Sequence, residues 1–173
     1  MGLNLCQGKG LPALSVESWL IADPVNLQAF SGCYDTKVVF WVKQNIPQAT
    51  LDNVFPGQAE TPVNIEIKIS DSYTGDVYNT DWTQINDLLT CKIGEAGDEF
   101  IGTPYPLTGE IGAEGSANNL WVKCEMDLPV SEYGSFNSFT IAFKTKTNYD
   151  SDLSDNLRGE LYISDVHFVA TEK

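Results

Sequence analysis

Val63, Ile65, Ile67 and Ile69 alternate with Asn64, Glu66 and Lys68. A period of two puts all four apolar side chains on one face of an extended strand and the polar ones on the other. Similar strand-like runs recur at 37–42, 120–128, 136–147 and 159–170, and helical periodicity is almost absent. Segments 93–117 and 148–158 are rich in Gly, Pro, Asn and Asp and read as loops. Segment 83–89 fits a helical turn or a short strand equally well. The 173 residues show no internal repeat and no linker. The expected fold is all-β: one antiparallel β-sandwich domain of jelly-roll type over 1–173, with 1–16 irregular.

Charge narrows the function. Asp and Glu number 24 against 10 Lys and Arg, a net −14. Such a field repels phosphate backbones and anionic lipid, so nucleic acid is not an expected partner. No apolar run reaches the roughly 18–20 residues of a membrane span, so no transmembrane segment is expected. The single histidine, His167, leaves little room for His-based metal sites or catalysis. It stands between Val166 and Phe168, where a packed or edge histidine is the commoner case.

Cys6, Cys33, Cys91 and Cys124 are widely spaced and form no CxxC pair, which argues against zinc. Two disulfides and four buried thiols both fit. For a single bridge the favoured pair is Cys91–Cys124, because each cysteine sits in a strand-like stretch. The first residues lack a charged stretch followed by an apolar one, so no signal peptide is visible. A piece cut from a secreted protein and a cytosolic chain would both begin this way.

Residues 17–27 (ESWLIADPVNL) are followed in order by 37–43 (KVVFWVK), 67–82 (IKISDSYTGDVYNTDW), 139–143 (FTIAF) and 161–166 (LYISDV). Together they resemble the cleaved-adhesin, or choice-of-anchor, domain group of Bacteroidetes secreted and surface proteins. The resemblance implies a galactose-binding-like jelly roll, related in shape to carbohydrate-binding modules and MAM domains. It also implies export, an extracytoplasmic or cell-surface location, and no catalysis. Related jelly rolls tie their first strand to their last through a structural calcium ion, which the resemblance would place at Glu17 and Asp165. Ser164 stands where the group has a further Asp.

Sugar recognition needs flat rings for the C–H faces of pyranoses and polar side chains for the hydroxyls. Trp19, Trp41, Trp82 and Trp121 fall in strand-like or motif positions, where core packing is the commoner role. Trp41 and Trp121 are the least settled of these, since Phe40 and Trp41 are both apolar and strand parity is ambiguous. Tyr73, Tyr78, Tyr105 and Tyr149 lie among polar residues and are the loop candidates. The acidic run with Asp150, Asp152 and Asp155 lacks the Gly and Glu of an EF-hand and reads as a solvated loop. No G-x-S-x-G, P-loop or G-x-G-x-x-G occurs, and carboxylate pairs carry no weight among 24 acids. The expected function is a non-catalytic carbohydrate-binding module that takes a polysaccharide or glycan on exposed aromatics. The alternative is a structural or adhesin sandwich that binds protein partners on the cell surface and no small ligand.

Overall fold

The computed structural model describes residues 14–45, 65–102, 120–149 and 160–173. Nine strands are present among them: β1 (Leu14–Ile21), β2 (Tyr34–Asn45), β3 (Ile65–Ser70), β4 (Thr83–Gln84), β5 (Thr90–Ile93), β6 (Glu99–Ile101), β7 (Trp121–Asp127), β8 (Thr140–Tyr149) and β9 (Glu160–Glu172). They form two antiparallel sheets, a four-stranded one ordered β1-β8-β3-β4 and a five-stranded one ordered β6-β5-β7-β2-β9. The two sheets pack together as an all-β sandwich.

The alternation read in β3 is borne out: Ile65, Ile67 and Ile69 are buried, and Glu66 and Lys68 are only half so. From the five-stranded sheet, Val38, Phe40, Val42, Cys91, Val122, Cys124 and Met126 enter the same core. Phe40 of β2 meets Phe143 of β8 edge to face, with centroids 5.0 Å apart, so one ring pair joins the sheets. Burying each such side chain is worth roughly 1.5–3 kcal/mol. Cys91 and Cys124 face each other across β5 and β7, with Cα atoms 4.2 Å apart, and form the favoured disulfide.

Several local readings are corrected or refined. Residues 14–16, expected to be irregular, begin β1, and Glu99–Ile101, read as loop, form β6. Segment 83–89 is both of its alternatives in succession, strand β4 and then a 3-10 turn at Asn86–Leu88. A single helical turn, α1 (Val130–Tyr133), had no periodic signal. The last correction concerns tryptophan: the buried core cluster contains none of the four. The core is filled by Phe, Ile, Leu and Val, and the indoles lie outside it.

β4 is only two residues long, yet β3 does not lose its partner beyond it. Ile85 donates its N–H to the Ile67 carbonyl at 2.9 Å. The buried Asn86 side chain then takes over, its Oδ1 accepting from the Ile67 N–H at 2.9 Å and its Nδ2 donating to the Ile65 carbonyl at 2.8 Å. One side-chain amide stands in for a peptide unit of the ladder.

Candidate functional site

Each sheet has an outer face, and the two differ. On the four-stranded sheet, Trp19 stands opposite Lys144 and Ile21 opposite Ala142. Trp82 lies 5.6 Å from Trp19, and Tyr73 lies 5.6 Å from Trp82. Ala142 alternates with the core residues Ile141 and Phe143, and so points to this face, yet it is fully buried. The rings of Trp19, Trp82 and Tyr73 therefore form a roof. Lys144 anchors it, 5.4 Å from the Trp19 ring and ion-paired with Glu17 at 3.1 Å and Glu66 at 3.6 Å.

The outer face of the five-stranded sheet carries three part-exposed aromatics. Trp41 on β2 stands opposite Lys123 of β7 and Ser164 of β9. Two residues along β2, Lys43 stands opposite Trp121 of β7 and Tyr162 of β9. Their strand neighbours Phe40, Val42 and Val122 fill the core, so Trp41, Trp121 and Tyr162 all face outward. Trp121 is 39% exposed and Tyr162 44%, and Trp41 is half-buried. The Lys43 ammonium sits 5.8 Å from the Tyr162 ring centroid.

Tyr162 reaches this face through a bulge. Val39 pairs with His167 and Trp41 with Ser164, so Asp165 and Val166 together oppose Phe40. Asp165 takes a left-handed backbone with φ of 58°, and its carbonyl is hydrogen-bonded to His167 Nδ1 at 2.7 Å. The extra residue exchanges the inward and outward sets along β9.

Beside Trp41 lies a half-open cavity of about 270 Å³ lined by Trp41, Thr90, Lys92, Glu95, Glu99, Lys123 and Glu125. Glu125 organises its floor, bonded to Lys37 at 3.2 Å and to Lys123 at 3.3 Å. Partial burial pushes the Glu125 carboxyl up, but hydrogen bonds and charge from Lys37 and Lys123 outweigh it and hold the group below its ordinary 4.5. A carboxyl lowered on folding stabilises the fold above its ordinary titration range, and that contribution fades as pH falls through the lowered value. Glu125→Gln is accordingly expected to cost about 0.5–1 kcal/mol at pH 7 and less at pH 3. Urea unfolding of both proteins at the two pH values measures this; an equal cost at both would remove the ion pairs as its cause.

The sequence candidates divide. Trp41 and Trp121 share the open face with Tyr162, which the sequence reading missed. Tyr73 belongs to the roof over the other sheet. Tyr78 is 78% exposed on a 3-10 turn whose N–H is capped by Asp76, in the same segment as Tyr73. Tyr149 ends β8. Tyr105 and the Asp150, Asp152 and Asp155 run lie outside the described residues. Glu17 is held by Lys144 on one sheet, and Asp165 is exposed at the bulge of the other. The two residues that the resemblance would pair thus lie on different sheets. Among the described residues no group of three His, Cys, Asp or Glu side chains converges.

No family model matches the chain, and no curated protein is similar to it. No described helix is long and apolar enough to cross a membrane.

Proposed function

We propose that the chain is a non-catalytic glycan-binding module of a secreted or outer-surface protein, with its site on the outer face of the five-stranded sheet. One observation carries the reading: Trp41 and Trp121 share an open sheet face, and Trp41 borders a cavity rimmed by Thr90 and charged side chains. Rings offer the apolar contact, and the carboxylates and ammonium groups beside them accept and donate hydrogen bonds to hydroxyls. A protein-docking patch would instead be apolar at its centre, with charge kept to the rim.

Several features support parts of this reading. The nested long-range pairs, β1 with β8 and β2 with β7, suit the jelly-roll wrapping that the resemblance implies. The Cys91–Cys124 bridge suits an oxidising, extracytoplasmic compartment. Glu125, held ionised by two lysines, is a poor general acid, because glycoside hydrolysis asks for a carboxyl with a raised pKa.

Affinity electrophoresis against a panel of plant, algal and host polysaccharides, with and without EDTA, tests the proposal. Retardation by at least one polysaccharide class is expected. Trp41→Ala and Trp121→Ala should each weaken it about tenfold, since burying an apolar ring face against the C–H side of a sugar is worth on the order of 1.5 kcal/mol, and Tyr78→Ala should leave it unchanged. Loss of retardation in EDTA would assign calcium a part in the site or the fold. An absence of retardation across the panel would favour the adhesin reading with a protein partner.

A further inference from the structure

We infer that this face binds an extended, uncharged polysaccharide laid across the strands over Trp121, Trp41 and Tyr162. The inference rests on the glycan reading above and specifies its ligand.

The three rings stand on three adjacent strands, β7, β2 and β9. Trp121 and Tyr162 lie in one cross-strand row on either side of Lys43, two strand spacings or about 10 Å apart at the backbone. Trp41 stands two residues along β2, about 7 Å from that row. A single sugar ring covers one such aromatic. Contact with all three needs a run of several sugars that crosses the sheet.

Exposure sets the mode of binding. The rings of the four-stranded sheet are packed on one another as a roof. Trp121 and Tyr162 flank the open face on both sides of β2. A chain that touches both must span β2, so the site reads the length of a polymer.

Charge sets the ligand class. Two ammonium groups, Lys92 and Lys123, face three carboxylates, Glu95, Glu99 and Glu125, around the cavity. Lys123 and Lys37 are both committed to Glu125, and the Lys43 ammonium lies by the Tyr162 ring. With −14 on the whole chain, a uronate or sulfated polymer meets a repulsive field. Hydroxyl groups suit such a rim, since they both donate to carboxylates and accept from ammonium groups.

Titration calorimetry with cello-, xylo-, manno- and laminari-oligosaccharides of two to six units, and with polygalacturonate, tests the inference. In any series that binds, affinity should rise at least tenfold from disaccharide to hexasaccharide, and polygalacturonate should not bind at low salt. Tyr162→Ala, checked for an unchanged melting temperature, should weaken the hexasaccharide several-fold and leave the disaccharide unaltered. Equal affinity for disaccharide and hexasaccharide, or tighter binding of polygalacturonate, overturns this inference and leaves glycan binding standing. No binding by any of these probes, together with no retardation by the polysaccharide panel, overturns both.

Discussion

Reduction of the Cys91–Cys124 bridge is expected to lower the unfolding free energy by about 3–4 kcal/mol, the loop-closure value for a cross-link of this span. The two cysteines are 33 residues apart in sequence, so the bond removes a large share of the unfolded chain's freedom. Both sulfurs lie in the fully buried core between β5 and β7. In a domain of this size the loss corresponds to a fall in melting temperature on the order of 10 °C. Calorimetry with and without a phosphine reductant measures it while leaving the sulfurs in place. The double variant C91A/C124A should fall at least as far, because it also opens a small cavity. An unchanged melting temperature on complete reduction would mean that packing alone fixes the β5–β7 pair.

Asn86→Ala is expected to cost about 2–4 kcal/mol, since it strands two buried backbone groups at once. The Ile67 N–H and the Ile65 carbonyl both lose their partner, and β4 is too short to replace it. Asn86→Asp should be damaging as well. It keeps an acceptor for the Ile67 N–H but turns a second oxygen towards the Ile65 carbonyl, in a site only 7% exposed. Urea midpoints of the three proteins give the comparison. A loss well under 1 kcal/mol for the alanine variant would show that these groups find other partners, contrary to the usual cost of burying them unpaired.

The strands with clean alternation were legible in the sequence, and the places where legibility failed have physical causes. β1 was hidden because Trp19 and Ile21 put apolar side chains on its outer face, where Trp82 packs on Trp19, so no period of two survived. β6 is three residues long within a Gly-rich acidic stretch. The tryptophans were expected in the core because burial is the common fate of a large ring, yet the space between the sheets is already taken by Phe40, Phe139 and Phe143. Of the open face, Trp41 and Trp121 were named from the sequence. Tyr162 was not, for two reasons. It lies between the apolar Leu161 and Ile163, and the bulge at Asp165 breaks the parity that Phe168 and His167 would otherwise project back to it. Register between β2 and its two neighbours, which makes a platform of three distant residues, has no local signature.

The same registers dictate an order of assembly. Leu14 pairs with Tyr149, and Tyr34 with Glu172, so the first two strands find their partners only in the last third of the chain. When synthesis has passed β6, the only strand pairs complete among the described residues are the short neighbouring ones, β3–β4 and β5–β6. Phe40 must then wait for its ring partner Phe143 until β8 emerges. A topology so dominated by distant pairs folds slowly and exposes sticky intermediates.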